Sequence, residues 1–211
     1  MINLSSYQRR FFAVATLLAA SVASAQSIDF VDWKQGDRWK YKSVDMFTKL
    51  EQGTVEKVVL EIADGIYRTR FSEAAGQYDD LVRRDGTHVR AMPVGAGTFE
   101  YNELKFPVAE GKKWKSTFFF AARTNGSLGK REMDCEVADK EKVSTPSGEF
   151  DTLRIECRGY WHANGFTGRV ETTRWFSPAV KWVVKFRVKA WESGRLAVAD
   201  EFSLIEHQAT P

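Results

Sequence analysis

Residues 181–190 carry the clearest pattern in the chain. Trp182, Val184, Phe186, Val188 and Ala190 share one phase, and Lys181, Lys185, Arg187 and Lys189 share the other, with Val183 the exception. Alternation at period two describes a strand with one dry and one wet face. Similar runs recur at 38–48 (Trp39, Tyr41), 66–71, 78–84, 87–92, 113–123, 150–159, 166–176 and 196–206, where the buried phase of the last stays open. In 55–63, Val58, Leu60 and Ile62 fall on one face and Lys57, Val59 and Glu61 on the other. Residues 129–143 read as one long strand or as two with a kink, and 101–106 as a short strand ending at Pro107. Phe118, Phe119 and Phe120 put rings on both faces of their strand, so the second face needs a cover, a ligand or a membrane.

Between these runs lie turn signals. Asp64-Gly65 is a two-residue hairpin signal, since both positions must tolerate positive φ, and Asp85-Gly86 repeats it. Asn125-Gly126, Asn164-Gly165 and Glu192-Ser193-Gly194 close other strands, and Pro93 to Gly97 reads as a flexible rim loop. No stretch after the leader has helical apolar spacing. The predicted fold is therefore all-β, an antiparallel meander of about ten strands. Successive hairpins favour a barrel or strongly curved half-barrel over a sandwich. Gly36-Asp37-Arg38-Trp39 echoes Gly111-Lys112-Lys113-Trp114, which reads as a turn-then-aromatic strand start reached twice rather than as duplicated halves.

The first residues change the electrostatic picture. Arg9-Arg10, an apolar run at 11–20 and the small-x-small Ala23-Ser24-Ala25 form a secretory signal peptide, cleaved near Ala25. The expected domains are the leader, 1–25, and a single antiparallel β-domain, 26–211, located in the periplasm or secreted. Losing Arg9 and Arg10 takes the formal charge from +3 to +1. So balanced a surface gives no field to steer a polyanion, and nucleic acid is not an expected partner. No second apolar run of spanning length follows, so no transmembrane anchor is expected in the mature chain.

An exported chain with two cysteines permits one disulfide. Cys135 and Cys157 each lie 11 residues from Pro146. Both fall in the apolar phase of strands flanking Thr145-Pro146-Ser147-Gly148. A hairpin folded about that proline sets them opposite one another, at a separation a disulfide can bridge, if no bulge shifts the register. A redox or metal pair would want closer spacing or a nearby histidine.

Three motifs carry a resemblance: Phe106-Pro107-Val108-Ala109-Glu110-Gly111-Lys112-Lys113-Trp114, the run from Glu141 through Pro146 and Gly148 to Ile155, and Trp175-Phe176-Ser177-Pro178-Ala179-Val180-Lys181. Together they resemble an uncharacterised family of bacterial periplasmic β-rich domains, loosely similar to lipoprotein-carrier and lipocalin-like proteins. Val108 stands for that pattern's usual leucine, and Lys181 stands where it has a glycine after the valine. The resemblance implies a curved periplasmic sheet and no assigned activity.

Candidate chemistry is sparse. His88, His162 and His207 read as solvent-exposed turn or terminal residues without metal-ligand spacing. Glu132, Asp134, Glu136, Glu156, Glu171 and Glu192 could supply paired carboxylates, but no nucleophile elbow, zinc motif or phosphate loop is present. No catalytic residue, cofactor or metal is expected. The seven tryptophans and their phenylalanine neighbours are the stronger signal. Trp114, Phe118, Phe120, Trp175, Trp182 and Phe186 are the candidate apolar ligand face. The expected function is periplasmic, non-catalytic binding or carriage of a lipid-like or other apolar ligand. The alternatives are a structural role with a protein partner in envelope assembly, and a hydrolase acting on envelope sugars or lipids.

Overall fold

The computed structural model of the chain describes residues 27–74, 76–91, 98–121 and 128–209. The leader, the rim loop after Pro93 and the Asn125-Gly126 turn lie outside the described residues.

Twelve strands make one antiparallel sheet. They are β1 (Arg38–Asp45), β2 (Glu51–Ala63), β3 (Ile66–Glu73), β4 (Gly76–Arg83), β5 (His88–Ala91), β6 (Thr98–Tyr101), β7 (Lys113–Ala121), β8 (Leu128–Thr145), β9 (Gly148–Ala163), β10 (Phe166–Ser177), β11 (Trp182–Glu192) and β12 (Arg195–Gln208). The expected strand at 101–106 is instead β6, ending at Tyr101, after which the chain leaves the sheet. The order is β6-β5-β4-β3-β2-β1-β12-β11-β10-β9-β8-β7. Each half is a meander, and the pairing of β1 with β12 joins them. The sheet rolls until its edges, β6 and β7, face each other as a nearly closed barrel. Side chains bridge that seam: Tyr101 meets Phe118 edge-on, centroids 4.8 Å apart, and the Trp114 indole N–H donates to Asn102 O at 3.1 Å.

The turns follow from local chemistry. Asp64-Gly65, Asn164-Gly165 and Ser193-Gly194 have positive φ at both residues, as two-residue hairpins of this twist require. Asp85-Gly86 departs from that expectation. Only Gly86 of the pair has positive φ, Arg83 N–H donates to Thr87 O, and the Asp85 carboxylate accepts from Thr87 N–H and Oγ1. A Cβ on Gly86 would stand 2.3 Å from Leu104 O, so only glycine fits.

One end of the barrel is closed by the segments that precede β1 and β7. Ile28 and Val108 exchange backbone hydrogen bonds of 2.7 Å across it. The Gly36 and Gly111 echoes sit at corresponding places. Gly36 N–H donates to Val59 O and Val59 N–H to Asp37 O; Gly111 N–H donates to Val137 O and Val137 N–H to Lys112 O. Behind this plug lies an aromatic core. Trp33 contacts Trp39 at 5.4 Å and Trp182 at 5.1 Å, and Phe106 contacts Phe30 and Phe176.

Cys135 is bonded to Cys157, with Cα atoms 4.0 Å apart. The register that brings them together differs from the expected one. The turn is the two-residue Pro146-Ser147 with Thr145 opposite Gly148, which by itself would align Cys135 with Arg158. A bulge between Val137 and Asp139 takes up one residue, Ala138, and restores the Cys135–Cys157 pairing.

Beyond the bulge, the β8–β9 hairpin becomes an arm. Trp175 pairs with Arg154 and Lys185 on the outer side of the sheet, yet is only 6% exposed, because the arm lies over it and Glu141 accepts its indole N–H at 2.5 Å. The tip reaches β12, where Ser147 N–H donates to Leu204 O at 3.2 Å and Phe150 packs edge-on to His207.

Candidate functional site

In the plug-side half of the barrel the inward positions are fully buried. Toward the far end the inward rings of Phe71, Phe118, Phe120, Trp161, Phe186 and Phe202 are half-buried. Phe186 stacks on Phe202 at 4.1 Å, and the rings of Phe120 and Trp161 fill the space above Gly129 and Gly168 on neighbouring strands.

Between plug and far end the barrel holds charge. β4 points Asp80 inward, and its side chain is fully buried. Arg90 on β5 donates to both carboxylate oxygens, Tyr101 Oη–H donates at 2.8 Å, and His88 Nδ1 lies at 3.1 Å. Burial by itself would raise the Asp80 pKa, but the hydrogen bonds from Arg90 and His88 outweigh it and hold the carboxyl below the usual range. Burial lowers the His88 pKa, and the imidazole stacks on Tyr101 at 4.7 Å. A second pair joins β10 to the segment after β6: Arg174 Nη2 lies 2.5 Å from Glu103 Oε1, and Nη1 donates to Thr172 Oγ1.

Lys57 on β2 stands apart. The residue is fully buried and its Nζ has no hydrogen-bond partner among the described residues. The nitrogen lies 3.5 Å from the Trp182 ring centroid, 4.2 Å from Trp33 and 5.2 Å from Phe71. Cation–π attraction offsets part of the desolvation. Burial nonetheless drives its pKa well below the ordinary lysine value, against the fields of Asp80 and Glu103.

This cluster escaped the sequence reading for a definite reason. In 55–63 the apolar Val58, Leu60 and Ile62 suggest the core phase, yet Ile62 is 41% exposed, while Lys57 and Val59 point inward. An interior that is polar at mid-height defeats a phase choice made by hydrophobicity. His88 likewise is not a solvent-exposed turn residue: it is 3% exposed and faces the barrel interior. His207 belongs to β12, opposite Trp39, and not to a loose terminus. His162 is exposed, as expected, and contacts Thr167. The one usable signal was cross-strand: Asp80, Val82 and His88 share the phase of Tyr67 and Thr69 once the strands are paired.

The six expected ligand-face residues do not form one surface. Trp114 and Trp182 are buried in the core, while Phe118, Phe120 and Phe186 are half-buried on the inner face. Trp175 lies on the opposite side of the sheet, beneath the arm. Of the candidate carboxylates, Glu132, Asp134, Glu136, Glu156 and Glu171 form ion pairs with lysines and arginines along β7 to β10. Among the described residues no cluster of three or more His, Cys, Asp or Glu could hold a metal ion, and no helix is long and apolar enough to cross a membrane. A separate groove of 1040 Å³ lies outside the barrel, between Ile28, Phe30, the arm at Lys140 and Leu153, and Pro178.

The sequence matches no family model and no curated protein. Solved structures share the fold. A candidate exported protein with a YmcC-like fold from Bacteroides fragilis is 13% identical, with a TM-score of 0.60 over 86% of this chain and 99% of its own. A candidate lipoprotein from Parabacteroides distasonis is 14% identical, with a TM-score of 0.57 over 87% of this chain and 100% of its own. The likeness is one of fold: a curved, nearly closed antiparallel sheet, as the three sequence motifs implied.

Proposed function

We propose that the chain is a non-catalytic carrier of an apolar ligand, working outside the cytoplasm in the periplasm or after secretion. The observation that carries this reading is the set of half-buried inward rings at the far end, above a buried polar floor. An apolar molecule laid along Phe118, Phe120, Phe186 and Phe202 would leave water for a desolvated aromatic wall, at roughly 25 cal/mol for each Å² covered. The leader-like first residues, the disulfide and the exported and lipoprotein character given for the two structural neighbours support the location. Native mass spectrometry of the mature protein, purified without detergent, tests the reading. The expected result is a heavier population that organic extraction removes. A single apo mass, with no binding of a fluorescent apolar probe, would overturn it.

The groove beside the arm favours a second reading, a partner-binding role in envelope assembly. A photo-crosslinker at Lys140 should then capture one partner in cells, and a substitution at exposed Lys115 on β7 should not reduce its yield.

A further inference from the structure

Around Lys57 the charges do not balance. Arg90 is matched by Asp80, and Arg174 by Glu103. Lys57 has aromatic faces around it and, among the described residues, no hydrogen-bond partner. Thr69 Oγ1 and Ser116 Oγ, on inward positions of β3 and β7, are likewise buried without a partner among the described residues. Buried polar atoms are almost always satisfied, so each such orphan marks a place where something else binds. A water could serve the two hydroxyls. It would not supply the negative charge that would let the buried amine hold a proton.

Lys57 adjoins the half-buried rings. Its cross-strand neighbour Phe71, 5.2 Å from Nζ, is one of them and stacks on Tyr78 at 5.2 Å, and Tyr78 is 36% exposed. Beside Tyr78 the Arg90 guanidinium lies 4.2 Å from the ring. The buried nitrogen thus lies one ring away from the aromatic wall to which the carrier reading assigns the apolar ligand. Resting on the carrier reading above, we infer that the barrel's ligand bears a single anionic head group on an apolar chain, and that Lys57 is the counter-ion for that head group. A carboxylate or a phosphate would each meet the requirement. Bringing either to Lys57 forms an ion pair in a dry, low-dielectric site, where a neutral hydroxyl gains far less.

The test is calorimetric titration of the delipidated mature protein with dodecanoate, dodecyl phosphate and dodecanol, which share one chain length. The expected result is that one of the two anions binds at least about tenfold tighter than dodecanol, a charge-assisted contact being that much stronger than a neutral one. The tighter anion identifies the head group. In Lys57→Met that preference should fall to about unity while dodecanol affinity stays the same. Equal wild-type affinity for all three ligands would overturn the inference and leave the carrier reading standing. Preference retained in Lys57→Met would also overturn it. Failure to bind any of the three would overturn both readings. The wild-type ratio decides the charge of the head group even if Lys57→Met does not fold, and Lys57→Gln, tested the same way, then decides the counter-ion. Thr69→Val supplies a second variant, expected to weaken the anion more than the alcohol.

Discussion

Replacing Lys57 by methionine should raise the unfolding free energy by about 1–3 kcal/mol, because an aliphatic chain of similar length removes an unpartnered buried amine. Urea denaturation measures this. Its pH dependence is a sharper check. The folded pKa of Lys57 is lowered, so as pH approaches the unfolded lysine value of about 10.4 from below, the unfolded chain binds more protons at this site than the folded one. Stability should therefore rise with pH in that window, by at most about 1.4 kcal/mol per unit, and Lys57→Met should flatten the rise. Above about pH 10 the buried Tyr41 and Tyr101, whose pKa values burial raises, act in the opposite direction. His88 and Asp80 govern the acid side. His88 is kept neutral by burial, so stability falls as pH drops below about 6.5 and the unfolded histidine takes its proton. The contribution of Asp80 is present above about pH 4 and is lost as pH falls through its depressed folded value. Lys181 presents another conflict within one residue. It sits at φ 60, where a non-glycine residue costs about 1–2 kcal/mol, and its ammonium lies 3.2 Å from the fully buried Asp37 carboxylate. Lys181→Gly relieves the backbone and removes the ion pair of a buried carboxylate that keeps the hydrogen bond from Lys34 N–H, so a net loss of about 1–2 kcal/mol is expected in the same denaturation measurement.

At the scale of the element, the β8–β9 hairpin combines a bulge, a disulfide and an arm. Deleting Ala138 should remove the bulge and leave Cys135 opposite Cys157 on a regular ladder, so that the disulfide forms and neither thiol reacts with maleimide under oxidising conditions. An unlabelled, bonded protein is the expected readout; a mass shift of two labels would show that the bulge itself is needed to hold the register. The disulfide spans 22 residues of sequence and closes the base of the arm. Breaking it with Cys135→Ala and Cys157→Ala should cost about 3 kcal/mol, the loop-closure entropy for a loop of that size. Hydrogen exchange should quicken first in the arm, over Trp175 and Leu204, before it quickens in β1 to β5.

At the scale of the whole molecule, closure depends on a seam held by side chains and not by a ladder. Phe118→Ala removes the ring that meets Tyr101 across that seam, and Trp114 remains bonded to Asn102. The expected effect is a loss of about 3 kcal/mol, with faster hydrogen exchange in β6 and β7 than in the central pair β1 and β12. If exchange rises uniformly, the seam is not the weak line of the barrel. The same roll of the sheet forms the interior. Asp80, His88, Arg90 and Lys57 come from three different strands and from positions up to 33 residues apart, and only closure faces them toward Arg174 on β10.

Period-two alternation, the Asp-Gly and Asn-Gly turns and the spacing of the cysteines were legible in the chain because each is set by neighbours in sequence. They specified an antiparallel meander, several of its hairpin turns and the disulfide pair. The phase of β2 was not legible, because Lys57 points into a polar interior whose other members lie on distant strands. The bulge at Ala138 was hidden for a related reason: it is fixed by what the two strands must bury together, not by the turn that joins them. The expected aromatic face was split for the same cause, since Trp175 is buried only because an arm from elsewhere in the chain lies over it. Local backbone and side-chain chemistry therefore determined the strands and turns. Closure of the sheet, a long-range packing event, decided which side chains share the interior and hence where a ligand would sit.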